Sequence, residues 1–146
     1  FGAQIGQISN KKADEFFHFF GGGQVGLKGY PYYSLQGTDI LIFDIGMRLP
    51  IFKEKSYNIG PVTIKNMSLA YEGQIGDAWD RAKKYEPKIS TGVQLRMSGY
   101  SFYNYPIAIG LEFHKPHERF FFELENGDKI SYGDENRVYF NILFGF

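Results

Sequence analysis

The last nine residues, Val138-Tyr139-Phe140-Asn141-Ile142-Leu143-Phe144-Gly145-Phe146, decide the fold. In an extended strand, successive side chains point to opposite faces. Val138, Phe140, Ile142, Phe144 and Phe146 therefore share one face, and Tyr139, Asn141, Leu143 and Gly145 share the other. The same period recurs upstream. Ile107, Ile109, Leu111 and Phe113 oppose Ala108, Gly110, Glu112 and His114, and Thr91, Val93, Leu95 and Met97 oppose Gly92, Gln94, Arg96 and Ser98. Met67, Leu69, Tyr71 and Ile75 oppose Ser68, Ala70, Glu72 and Gln74, while Leu41, Phe43, Ile45, Met47 and Leu49 oppose Ile42, Asp44, Gly46 and Arg48. A weaker strand lies in residues 1–8. No stretch carries the i, i+3, i+4, i+7 stripe of an amphipathic helix. The pattern predicts an all-β, antiparallel protein.

In the five clear strands every Asp, Glu, Arg and His lies on the second face. The first face is rejected by charge, which suits a dry protein core or lipid equally; Arg or Lys at a bilayer midplane costs about 2–4 kcal/mol. The second face decides between them. A solvated outer face carries Lys, Glu and Thr, whereas this one holds Gly46, Ala70, Gly92, Ala108, Gly110 and Gly145 among isolated charges. Small residues and sparse charges suit the crowded, wet lumen of a barrel. Aromatic residues gather near strand ends at Tyr100, Phe102, Tyr103 and Tyr105, and again at Phe120, Phe121 and Phe122, as in the girdles of membrane barrels.

Composition agrees. The chain has 146 residues, of which 15 are Phe, 11 Tyr and one Trp, yet its mean hydropathy is −0.30. Aromatic and polar residues must therefore interleave. A membrane strand needs only about 9–11 residues with alternate ones apolar, so low hydropathy is compatible with spanning. Sixteen basic and sixteen acidic residues give zero net charge, which argues against a nucleic-acid partner. Cysteine is absent, removing disulfides, thiolate nucleophiles and Cys-type zinc sites.

Chemical motifs are few. Gly21-Gly22-Gly23-Gln24-Val25-Gly26 satisfies G-x-G-x-x-G, but Leu27-Lys28-Gly29-Tyr30-Pro31 does not start a helix cleanly and no βαβ unit surrounds it, so a flexible turn needing positive φ is the expectation. His114 and His117, with Glu112 and Glu118, have a spacing interrupted by Pro116 and are expected to be polar loop residues. No G-x-S-x-G elbow occurs. Neither a catalytic set, a metal nor a cofactor is expected.

The connections 9–36 and 115–136 are long, 50–61 moderate, 77–88 polar and 99–105 short. Long loops on one side and short turns on the other is the outer-membrane arrangement. The smallest single-chain bacterial barrels have about eight strands. Six strands in lipid would leave two unpaired edges, at several kcal/mol for each unsatisfied backbone group. Residues 1–146 are thus expected to be part of something larger, a fragment or one piece of a composite barrel, with the remainder of the barrel as partner.

The stretch Phe19-Phe20-Gly21-Gly22-Gly23, followed by Gly26-Leu27-Lys28-Gly29-Tyr30-Pro31, resembles the sixth extracellular loop of the outer-membrane assembly factor superfamily, the BamA- and TamA-like bacterial surface antigens. Further matches follow in order: Gly37 opening a strand that ends Arg48-Leu49-Pro50, then Gly76-Asp77-Ala78-Trp79, then Gly92-x-x-Leu95-Arg96, and the terminal aromatic Phe146. The chain also looks like the barrel ends of Tol-type propeller fusions. The resemblance covers nearly the whole chain. It implies the last six strands of a barrel of about sixteen, in the bacterial outer membrane, not an enzyme, assisting insertion or translocation of client outer-membrane proteins.

By the same resemblance, Lys28 takes the place of a loop Arg that packs on the barrel wall near an acidic residue. That acidic position is Gln74 here, and Glu72 is the nearest lumen-facing acid. Lys lacks the planar fork of Arg, and Gln lacks the pairing charge. Arg48, Arg96 and Glu112 are further lumen candidates. The strand Val138, Phe140, Ile142, Phe144 and Phe146 would be the assembly signal and the seam, with Asn141 and Gly145 expected to loosen packing there. Two alternatives stand beside this reading. One is a family barrel serving as anchor or secretion pore for a fused passenger. The other is a small soluble lipid-binding barrel, which requires the apolar faces to point inward.

Overall fold

A computed structural model describes residues 1–9, 15–80, 83–102, 104–123 and 129–145. In chain order the strands are β1 (Gly2–Gln7), β2 (Phe19–Phe20), β3 (Gln36–Gly37), β4 (Asp39–Phe52), β5 (Tyr57–Ile59), β6 (Val62–Trp79), β7 (Lys88–Ser101), β8 (Tyr105–Pro116), β9 (Phe120–Glu123), β10 (Lys129–Tyr132) and β11 (Arg137–Phe144). The main antiparallel sheet has the order β1-β4-β6-β7-β8-β11, with β5 pairing β6. β2 pairs β3, and β9 pairs β10, in two small antiparallel ribbons. Among the described residues the one helical element is a 3-10 turn at Glu15–Phe17, and no helix is long and apolar enough to cross a membrane.

The six strands expected from the alternation are the six strands along the main sheet. β1 pairs with β4 through Gly2↔Asp44 to Gln7↔Asp39, which identifies the weak first strand. The differences lie at strand ends. β4 runs on through Pro50 to Phe52 and β6 extends from Val62 to Trp79, so part of two expected loops is strand. The long connection 115–136 contains the β9–β10 ribbon, which alternation did not signal because Phe120-Phe121-Phe122 is continuously aromatic.

The chain divides into two compact units. The first comprises Phe1–Ile45, Gly73–Gly92 and His114–Arg137. Its core is Leu27, Tyr30, Leu35, Ile40, Ile42 and Ala78, with Phe19 and Phe120 packed against it. The second comprises Gly46–Glu72, Val93–Phe113 and Val138–Phe146, and buries Ile64, Ala70, Ile107, Ala108 and Glu112.

Apolar side chains are exposed along several strands. On β8, Leu111 and Phe113 are 49% and 43% exposed, whereas Glu112 and His114, which alternate with them, are 4% and 0% exposed. On β4, Phe43, Ile45, Met47, Leu49 and Ile51 are all exposed. On β6, Leu69, Tyr71 and Ile75 are exposed while Ala70 and Gln74 are buried. From Leu111 to His114 on β8 and from Leu69 to Ile75 on β6 the apolar face is the more exposed one, whereas from Phe43 to Ile51 on β4 both faces are exposed.

Candidate functional site

The segment between β2 and β3 is a tightly wound loop carrying Gly26, Leu27, Lys28, Gly29 and Tyr30. It closes on itself through main-chain bonds: Leu27 N–H donates to Gly21 C=O (2.7 Å), Gly23 N–H to Tyr30 C=O (2.9 Å) and Tyr30 N–H to Leu27 C=O (3.0 Å). Gly23 sits at φ +84°, in the left-handed region that glycine occupies at no steric cost. The expected positive-φ turn is therefore present. Leu27 and Tyr30 are fully buried, so the loop is inserted by its apolar residues rather than left in solvent.

Gln74 on β6 holds the loop from beneath. Its Oε1 accepts from Lys28 N–H (2.9 Å), and its Nε2 donates to Gly26 C=O (2.8 Å). Ser90, fully buried on β7, donates its hydroxyl to the same Oε1 (3.2 Å). One carboxamide thus satisfies a donor and an acceptor of the loop main chain, which a carboxylate cannot do because it only accepts. The sequence placed Gln74 at the position of a charged partner for the Lys28 side chain. The structure instead joins it to the main chain of Lys28 and Gly26. Gly29 lies over Ser90, where an added Cβ would be 2.6 Å from Ser90 Cβ and 3.0 Å from Pro116 N.

Tyr30 anchors the far end. Its hydroxyl lies 3.2 Å from Ile89 C=O, 3.0 Å from Glu118 C=O and 3.3 Å from Glu118 Oε2, and it accepts from Glu118 N–H at 3.2 Å. Burial pushes the Tyr30 phenol up to about 12, with the neighbouring Glu118 carboxylate adding to the rise and main-chain hydrogen bonds opposing it. Glu118 Oε2 also accepts from Ile89 N–H. Phe120 packs on the Tyr30 ring at 5.8 Å between centroids, and Lys88 Nζ lies 5.2 Å from the centre of the Phe120 ring. Lys88 pairs with Asp77 at 3.0 Å, and the Asp77 carboxylate also accepts from the N–H groups of Ala78 (2.9 Å) and Glu86 (3.0 Å). Burial first, and the Asp77 charge second, raise the pKa of Tyr85 above its ordinary value.

Within the second unit, Arg48 Nη2 donates to Gln94 Oε1, Gln94 Nε2 donates to Glu112 Oε1 (2.7 Å), and Asn141 Nδ2 donates to the same oxygen (3.2 Å). Arg48 is exposed, Glu112 buried, and Glu72 and Arg96 are half-buried on the polar faces of β6 and β7. Asn141, expected with Gly145 to loosen packing at the seam, donates a hydrogen bond to Glu112 on β8. Val138, Phe140, Ile142 and Phe144 are exposed along β11, and Phe146 lies outside the described residues.

The sequence placed Glu112 and His114 on the second face of a strand and also grouped them with His117 and Glu118 as polar loop residues. Glu112 and His114 are buried strand residues, in line with the alternation, with the His114 ring lying across Gly92. His117 Nε2 lies 2.8 Å from the Thr91 hydroxyl, and Glu118 is tied to Tyr30. Sequence reasoning missed Ser90 and Glu118 as loop contacts. Ser90 carried a usable signal, since it continues the polar face of Gly92 and Gln94 one step outward; Glu118 carried none. Comparison of the chain with protein-family models, with curated proteins and with solved structures returns no match.

Proposed function

We propose that this chain is the C-terminal stretch of a transmembrane β-barrel in the bacterial outer membrane, contributing about the last six strands of about sixteen. Its parent is a non-enzymatic, cofactor-free barrel of the BamA- and TamA-like superfamily that assists insertion or translocation of other outer-membrane proteins. The observation that carries this reading is the exposure pattern of β8, where Leu111 and Phe113 face outward and Glu112 and His114 are covered. A soluble lipid-binding barrel needs the reverse. Backbone hydrogen bonding supports it too. β1 and β11 end the main sheet, and an unpaired edge in hydrocarbon costs several kcal/mol per group, so both edges call for further strands from the remainder of the barrel. The docked loop at Gly26–Tyr30 supports the family assignment. A client strand would add at the edge of β11, by main-chain pairing.

The test has two parts. Cysteines placed at Leu111 and Phe140 should react with a bilayer-soluble thiol reagent and not with a charged, water-soluble one; the reverse labelling would end the membrane reading. Cysteines along β11 should then crosslink to a stalled client barrel protein. Failure of that second step alone, with the first intact, points to an anchor or secretion pore for a fused passenger, which identification of the domain joined upstream would check.

A further inference from the structure

The outer face of the last strand is poor in positional information. Val138, Phe140, Ile142 and Phe144 are all large, apolar and exposed, so shifting β11 by two residues leaves that face chemically unchanged. Register is weakly specified where the repeating side chains are interchangeable, and the opposite face must then fix it. That face of β11 reads Tyr139, Asn141, Leu143 and Gly145.

Two contacts define the pairing with β8. Asn141 lies against Gly110, whose missing Cβ would be 3.8 Å from Asn141 Cβ. Gly145 N–H donates to Pro106 C=O at 3.0 Å. Both belong to one antiparallel register, in which Leu111 is opposite Phe140 and Ile109 is opposite Ile142. Because Gly110 has no side chain, the Asn141 carboxamide can lie across it and reach the diagonal neighbour Glu112, donating to Oε1 at 3.2 Å. Glu112 is held in place from the other side by Gln94 at 2.7 Å. A shift of two residues puts Leu143 or Tyr139 over Gly110 and takes the Asn141 amide away from its position beside Glu112.

We infer that Asn141, seated over Gly110 and bonded to Glu112, is a register key for the last strand, a positioning residue that sets where any further strand begins to pair along the β11 edge. Its consequence for client strands rests on the function proposed above. The register itself does not, so the two fail separately.

The chain has no cysteine, which permits pairwise crosslinking in the protein as expressed in cells. Leu111→Cys with Phe140→Cys reports the native register. Leu111→Cys with Val138→Cys or with Ile142→Cys reports a shift of two in either direction. Ala3→Cys with Phe43→Cys, opposite each other in β1 and β4, reports that the sheet has formed. In the Asn141→Leu background the native pair should lose at least half of its crosslinking and one shifted pair should rise severalfold, with the Ala3/Phe43 control unchanged. Asn141→Ser, whose hydroxyl is too short to reach Glu112, carries the same expectation where the leucine variant does not fold. Glu112→Gln keeps an acceptor oxygen and should retain the native pair. A native pair that persists at full yield in either Asn141 variant, or a Glu112→Gln chain that slips as far as they do, overturns the inference.

Discussion

Replacing Gln74 by Leu keeps the approximate volume of the side chain and removes its three hydrogen bonds. Lys28 N–H and Gly26 C=O lose partners at 2.9 and 2.8 Å, while the Ser90 hydroxyl can rotate. A buried polar group stranded in this way costs about 1–3 kcal/mol, so the two main-chain groups together destabilise the docked loop by about 2–6 kcal/mol. Val25, next along the loop, is 83% exposed, and water entering beside it brings the expected loss to the lower end. About 2 kcal/mol corresponds to roughly a thirtyfold increase in loop opening. Hydrogen exchange resolved to single amides is the assay. Lys28 N–H should exchange about thirtyfold faster in Gln74→Leu, by the same estimate. Gly21 N–H, bonded to Leu35 C=O at 2.9 Å outside the reach of Gln74, should barely change. Gln74→Glu should fall between, since it keeps the acceptor and loses the donor. If Lys28 exchange in the Leu variant matches the parent chain, Gln74 does not hold the loop and the reasoning is wrong.

Three further outcomes are expected. Gly29→Ala forces a methyl to 2.6 Å from Ser90 Cβ, and overpacking of this kind costs about 1–3 kcal/mol, read as faster protease cleavage between residues 23 and 30 at unchanged expression. Tyr30 keeps its proton longer in the folded protein than in the unfolded chain, so its contribution to stability is complete below about pH 10 and is lost as pH rises through about 12. Alkaline titration of the folded protein, followed by tyrosinate absorbance, should show a tyrosine titrating near pH 12, and Tyr30→Phe should abolish that component. Leu111→Arg places a charge on the exposed apolar face of β8, costing about 2–4 kcal/mol if that face meets lipid and almost nothing if it meets water, as measured by insertion yield and thermal stability in bilayers.

The strands were legible in the sequence because two sheet faces of different chemistry impose period two on the side chains. On β8 the series Leu111-Glu112-Phe113-His114 leaves no other assignment, and its inside-out burial follows from the small and charged residues that share one face. The loop was legible as a motif but not as a mechanism. Gln74 read as a lost charge, since a main chain waiting for a donor and an acceptor leaves no residue-type signature of its own. The β9–β10 ribbon was invisible for a related reason. What ties Phe120 down is the Tyr30 ring, distant in the chain, and no local pattern encodes such a contact.

The Tyr30 hydroxyl meets groups 59 and 88 positions further along the polypeptide. Loop-closure entropy must be overcome before contacts so remote bring any gain. An early segment is therefore seated only when a late one arrives. The hydroxyl anchor of the loop is complete only once Glu118, two residues past the end of β8, is in place, so the first part of the chain depends on the last for its final seat.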